Sequence, residues 1–235
     1  MREKLKNILY ILLGATILVT VGVKSCFSDV FSCGDESPIG IVAPDDSMNE
    51  YVCNASGKAL DFLSQYGLYL DQPVSIMIVE DAINSHGYVA FGSYNRQSDM
   101  ITMMSFPAIM NSGSPEMYGQ PFDLEHYLGA VAHEVAHAVF HHNSSKVEDQ
   151  KTNSTQEYLA HATQLGVLSP ERRRRIIDAH DVGPWESGDS ISEIYMALNP
   201  TGFAVKSFLH LTQLEDPKPF INILLNHNWF YVSVP

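Results

Sequence analysis

The chain has 235 residues, of which 45% are hydrophobic and 17% are charged, and its net charge at pH 7 is -13. This composition excludes an intrinsically disordered chain, and the length suits one domain with a substantial core. The acidic balance argues against nucleic acid as a partner, because phosphate groups require a basic protein surface.

The N-terminus has the pattern of an export segment. It begins with the basic stretch MREKLK, and residues 7–23 then carry no charge and are mostly Ile, Leu, Val, Ala and Gly. This pattern is typical of a signal peptide or a short signal anchor. We expect residues 1–25 to direct export, residues 26–46 to form an N-terminal segment and residues 47–235 to form a single domain. The protein would be extracytoplasmic: periplasmic, secreted, or attached to the membrane through residues 7–23.

The cysteines are consistent with export. The chain has three, Cys26, Cys33 and Cys53, all near the start of the exported part. An odd number leaves one cysteine outside any intramolecular pair. We expect a disulfide between Cys33 and Cys53, which would join the N-terminal segment to the first helix, and we expect Cys26 to be free or lipid-modified.

The first half of the exported chain predicts one helix followed by a small sheet. Apolar residues recur every four positions within residues 47–66, which predicts a helix. The short apolar run PVSIMIV predicts a buried strand over residues 73–79. Residues 87–94 and 99–104 predict a hairpin around the turn NRQS, and residues 111–121 predict a loop.

The second half predicts helices. A long helix begins at Asp123 or Leu124 and ends near His142, and a polar stretch joins it to a second helix over residues 154–165. Further helices are predicted from Pro170, with Ser169 as the cap, and over residues 191–198, 202–214 and 219–226. One helix, a small sheet and then a series of helices together predict an α+β fold in one domain.

The long helix contains the stretch AVAHEVAHAVFHH, which has the pattern of a metal site. His133 and His137 are four residues apart, so they lie on one face of the helix and can both reach a zinc ion at about 2.0–2.1 Å. Glu134 lies beside them and could accept a proton from a metal-bound water. Apolar residues surround these three on nearly every side of the helix, and buried polar side chains of this kind favour a metal ligand role.

A third ligand must come from another part of the chain. His141 lies eight residues after His133, about 12 Å along the helix axis, so these two cannot share one metal. We interpret His141 and His142 as cations at the helix end. Glu157 is the preferred third ligand, since an apolar helix capped by Ser154 or Thr155 would carry it in its first turn. Glu148, Asp149 and His161 are the alternatives, although His161 suits a supporting role better.

The motif His133-Glu134-x-x-His137, followed by Glu157 on a second helix, resembles the gluzincin class of zinc metallopeptidases. The resemblance implies zinc held by the two histidines and Glu157, with Glu134 as the general base. It also implies a zincin-like fold: a small mixed sheet with an edge strand over the cleft, the HExxH helix, and an antiparallel helix that carries the glutamate. The edge strand would lie within residues 88–94 and hold a peptide substrate as an added strand.

The sequence departs from this class in its short length, and no motif identifies the residue that stabilises the oxyanion. Tyr195 is our candidate for that role. It lies on a mostly apolar predicted helix that follows the two helices with the proposed zinc ligands.

The function predicted from the sequence is that of an exported zinc metallopeptidase acting on a peptide or protein. One alternative is a non-catalytic zincin-fold protein of the cell envelope that binds zinc or peptide. Another is a structural zinc site, which would need a fourth ligand from His161 or His141. The presence of Glu134 favours the metallopeptidase over the non-catalytic alternatives, because zinc storage does not require a carboxylate at that position.

Overall fold

All strands in the described part of the chain lie before Phe122, together with two helices. The remaining helices follow Phe122. The computed structural model describes residues 30–85, 88–144, 153–186 and 191–226. The predicted export segment lies outside these residues, as do Cys26, Glu148 and Asp149. No helix among the described residues is long and apolar enough to cross a membrane.

The strands form one mixed sheet and two small hairpins. In chain order the strands are β1 (Phe31–Ser32), β2 (Ile39–Val42), β3 (Val74–Val79), β4 (Ile83–Ser85), β5 (Tyr88–Ala90), β6 (Gly92–Asn95), β7 (Met100–Met104), β8 (Glu116–Met117) and β9 (Gln120–Pro121). The five-stranded sheet has the order β1-β2-β3-β7-β6. β2, β3 and β7 are parallel, while β1 and β6 are antiparallel to their neighbours. Among the described residues β6 is therefore an edge strand of this sheet, which agrees with the edge strand that the gluzincin resemblance implies within residues 88–94.

The helices cover one face of the sheet and pack on each other. They are α1 (Asn49–Ser64), α2 (Phe106–Asn111), α3 (Leu124–Asn143), α4 (Asn153–Val167), α5 (Pro170–His180), α6 (Glu193–Leu198), α7 (Pro200–Gln213) and α8 (Lys218–Asn226). α3 contacts β6 and β7, and α1 contacts both α3 and α4. In β3, Val74, Ile76 and Ile78 are buried, so alternate side chains of the central strand point into the core. The predicted α+β class is confirmed.

The Cys33–Cys53 disulfide is confirmed, with the two Cα atoms 5.2 Å apart. It joins the segment between β1 and β2 to α1. A disulfide of this kind favours an extracytoplasmic location, because reducing conditions in the cytoplasm rarely allow such bonds to persist.

Several segments differ from the sequence prediction, among them α2 and β4, which the sequence pattern does not predict. The pattern predicts no strand in residues 26–46, but β1 and β2 lie there, and the run IGIV that forms β2 is short and interrupted by glycine. The strand predicted over 87–94 divides at Phe91, so that β5 pairs with β4 and β6 pairs with β7. The loop predicted over 111–121 contains the β8–β9 hairpin, whose turn residues Tyr118 and Gly119 both have positive φ values, 56° and 68°.

Candidate metal centre

The candidate site lies between α3 and α4. His133 contacts Gln164, and His137 contacts Glu157, which lies earlier on α4. Because the residue numbers on α4 fall as those on α3 rise, the two helices are antiparallel. α4 begins by Asn153, so Ser154 and Thr155 lie inside the helix and Glu157 lies beyond the first turn. This corrects the predicted cap and the predicted first-turn position of Glu157, while its place on the antiparallel helix agrees with the prediction.

The donor atoms of three residues converge at this interface. Nε2 of His133 lies 3.2 Å from Oε2 of Glu157 and 3.1 Å from Nε2 of His137, and Nε2 of His137 lies 3.5 Å from Oε1 of Glu157. Ligands about 2.0–2.1 Å from a tetrahedral ion are about 3.3–3.4 Å from one another. The three separations, two of which involve different oxygens of Glu157, are close to these edges, so the three residues could hold a metal ion.

Charge and hydrogen bonding also favour a cation between these atoms. Burial lowers the pKa of His137 to about 4, so its ring is neutral near pH 7. Burial lowers the pKa of His133 too, but its hydrogen bond to Glu157 and the charge of that carboxylate raise it overall. Burial raises the pKa of Glu157, while the surrounding histidines lower it well below its usual range. The two Nε2 atoms face each other, so a proton or a cation must separate their lone pairs.

Gln164 orients the first histidine of the motif. Oε1 of Gln164 lies 3.1 Å from Nδ1 of His133, so the ring can donate from Nδ1 and direct the lone pair of Nε2 towards the site. Histidine ligands commonly donate their second N–H to a fixed acceptor in this way. The sequence reasoning missed this residue. The available signal was its spacing, since Gln164 follows Glu157 by seven residues and therefore lies on the same face of α4.

Glu134 is buried against the edge strand. The residue is 9% exposed. Burial raises its pKa to about 7; Glu157 also raises it, whereas His133 and a hydrogen bond from the backbone of Tyr94 lower it. A Cβ atom on Gly92 would lie only 2.7 Å from Cγ of Glu134, so β6 approaches this close because the residue is glycine. A carboxylate with a pKa near neutrality suits proton transfer.

A cleft of about 460 Å³ opens over these residues. One wall is formed by residues 90–94, which include most of β6, and the opposite wall belongs to α3 and α4. His133, Glu134, His137 and Glu157 all contribute to its lining. The site is therefore accessible from the surface along the edge strand.

His161 lies on the wall of the cleft beside the three donors. Its Nε2 is 3.7 Å from Oε2 of Glu157, and its Nδ1 is 3.3 Å from the hydroxyl of Tyr118. Burial lowers the pKa of His161 to about 3, so the ring is neutral. Among the described residues, the group of mutually close donors at this site comprises His133, His137 and Glu157, and His161 does not join it.

The remaining predicted site residues lie elsewhere. Tyr195 is on α6, its ring 5.0 Å from that of Trp185, and it is not among the residues that line the cleft. Its assignment as oxyanion donor stays a prediction. His141 and His142 do lie in the last turn of α3. There His142 pairs with two aspartates, and His141 contacts Tyr94; their role as helix-end cations stays a prediction.

Comparison with known proteins yields one family. No curated protein and no solved structure shows significant similarity to the chain. Residues 39–234 match the family of unknown function DUF6639, a range that begins at β2 and covers all of the candidate site. The chain therefore belongs to the family DUF6639.

Proposed function

We propose that this protein is an exported zinc metallopeptidase of the gluzincin type. One observation carries the proposal: His133, His137 and Glu157 present their donor atoms at tetrahedral spacing, and Glu134 adjoins them in the same cleft. Two nitrogen donors and one carboxylate, with one position left open, form a donor set that suits catalytic zinc. When bound there, zinc would polarise a substrate carbonyl and make a water molecule more acidic.

The residues around the donors have complementary roles in this proposal. Gln164 holds His133 in the tautomer that leaves Nε2 free for the metal. Glu134 accepts a proton from the attacking water and passes it to the leaving amine. Burial raises the pKa of Glu134. A bound cation would lower that pKa and keep the carboxylate ionised at neutral pH.

The edge strand supports a peptide as substrate. β6 is the last strand of the five-stranded sheet among the described residues, and residues 90–94 line the cleft beside Glu134. An extended peptide could pair with its backbone as an additional strand, which would place one peptide carbonyl near the metal ligands. The backbone would supply affinity for any extended chain, and side-chain pockets would supply preference.

The experiment compares the wild type with Glu134→Gln on a peptide library, with cleavage products identified by mass spectrometry. The amide cannot accept the proton, so we expect the variant to keep its zinc and its fold while cleavage falls at least about 100-fold. Glu215→Gln, a change on the loop before α8, is the matched control and should cleave normally.

A zinc-loaded wild type that cleaves nothing would contradict the proposal. Retention of library peptides without cleavage would then support the alternative, a zincin-fold protein that binds peptide without hydrolysing it. Equal cleavage by the wild type and Glu134→Gln would contradict the assigned role of the glutamate.

A further inference from the structure

A second cluster of metal-ligating side chains lies where the turn between β6 and β7 meets the C-terminal end of α3. Asp99, His141 and His142 each offer a ligand atom, and these atoms all lie within 4.8 Å of one another. None of them lines the cleft of the first site. We propose that this cluster is a second metal site, which binds a first-row divalent cation such as zinc.

The donor atoms are already in close contact. Oδ1 of Asp99 lies 2.8 Å from Nε2 of His142 and 2.6 Å from the hydroxyl of Tyr94, and that hydroxyl is 3.0 Å from Nδ1 of His141. Two imidazoles and one carboxylate repeat the donor chemistry of the first site. Such a set favours zinc and other late first-row ions over Mg²⁺ or Ca²⁺, which prefer oxygen ligands alone.

The second nitrogen of His142 supplies an independent observation. Nδ1 of this ring lies 2.8 Å from Oδ1 of Asp71, on the side opposite Asp99. The His142 side chain is only 3% exposed, so the ring is fixed between the two carboxylates. A carboxylate behind a histidine is the usual arrangement for a metal ligand, because it fixes the ring and makes the coordinating nitrogen more basic. Asp71 would have this supporting role, while Asp99 would contact the cation.

The same atoms also contact one another through hydrogen bonds. Binding a cation would replace the contact between Nε2 of His142 and Asp99, since both atoms would then point at the ion. The required displacement is small, because ligands of a tetrahedral ion lie about 3.3 Å apart and these two are now 2.8 Å apart. A cation here would fix the turn that follows β6 to the C-terminal end of α3.

The experiment is equilibrium dialysis of the full chain against zinc, followed by elemental analysis. Asp99→Asn removes the carboxylate and preserves the backbone, because asparagine tolerates the positive φ of 52° at this position. We expect two equivalents of zinc in the wild type and one in Asp99→Asn. His142→Gln, a second variant at the same site, should also bind one, and Asp61→Asn, an exposed acid on α1, should bind two.

Loss of the first site is tested separately, so failure of the two proposals can be distinguished. His133→Ala should retain the equivalent held by Asp99 and the two neighbouring histidines, and His133→Ala combined with Asp99→Asn should retain none. Asp71→Asn should weaken the second equivalent about tenfold to 100-fold, as expected for loss of a supporting carboxylate. Circular dichroism would verify that each variant is folded.

Two results would overturn the second site. In one, the wild type binds a single equivalent that Asp99→Asn leaves unchanged. In the other, the wild type binds two equivalents and both persist in folded Asp99→Asn and His142→Gln.

Discussion

Replacing Gly92 by alanine should damage the candidate site without touching a metal ligand. The added Cβ would lie 2.5 Å from Sδ of Met103 and 2.7 Å from Cγ of Glu134, both below the 3.0 Å that real Cβ atoms respect. Met103 is fully buried and has little room to move, whereas Glu134 borders the cleft and can be pushed into it. Either β6 moves away from α3 or the glutamate is displaced.

The expected magnitude follows from the packing. Inserting a carbon into a filled interior costs about 1–3 kcal/mol of unfolding free energy. A displacement of about 1 Å in a catalytic group lowers turnover about 100-fold. Zinc content should be unchanged, because the atoms nearest the new Cβ belong to Met103 and Glu134 and not to the ligands.

Gly57→Ala is a matched control for this substitution. Gly57 is exposed in the interior of α1, and an added Cβ there would meet no heavy atom within 4 Å. Alanine should therefore stabilise the protein by about 0.5–1 kcal/mol, because it restricts the unfolded chain. Urea unfolding, zinc analysis and peptide hydrolysis of both variants make the comparison. A Gly92→Ala variant with wild-type stability and wild-type hydrolysis would refute the reasoning.

Three further predictions concern the ligands and the acid sensitivity of the fold. Glu157→Ala should severely weaken zinc binding in a competition assay, whereas Glu148→Ala should leave it nearly unchanged; equal affinities would exclude the assigned ligand. Gln164→Ala should lower zinc affinity about tenfold to 100-fold, because the first histidine loses its acceptor, and Gln164→Glu should restore binding. Burial raises the pKa of Asp123, but a backbone hydrogen bond and the Arg172 guanidinium lower it overall. Because the pKa of Asp123 is lower in the folded protein, the ionised carboxylate stabilises the fold above the unfolded pKa of about 3.9. This stabilisation is lost as the pH falls through the lower folded pKa. Arg172→Met should therefore be less stable at neutral pH and lose less stability on acidification, as measured by urea unfolding; an unchanged pH dependence would contradict this.

The sequence predicts those parts of the candidate site that depend on local helical geometry. His133 and His137 share a face because four residues make about one helical turn, and no tertiary information is needed. Glu157 could be placed because a second apolar helix after a short polar stretch packs antiparallel on the first. The Cys33–Cys53 bridge followed from the position of the cysteines near one end of the chain.

Contacts between distant segments could not be predicted in this way. Gln164 is ordinary in the sequence, and its contact with His133 depends on the exact rotation of α4 against α3. The strand predicted over 87–94 divides because residues 88–90 pair with β4 and residues 92–95 pair with β7. Residues 88–90 and 92–95 both have a strand-like composition. The point at which the strand divides therefore depends on the pairing partners and not on composition.

The histidines of α3 from His133 onwards illustrate the limit of helical periodicity. The rise of the helix separates His133 from His141 by about 12 Å, which excludes one shared metal but does not assign the later pair to any partner. The assignment comes from the sheet, because the turn between β6 and β7 brings Asp99 to within 2.8 Å of His142. The same edge strand also places a glycine against Glu134, about two helical turns before His141. β6 and its turn thus contact α3 at both clusters, so a cation bound by Asp99 would restrain the strand that we propose to hold the substrate.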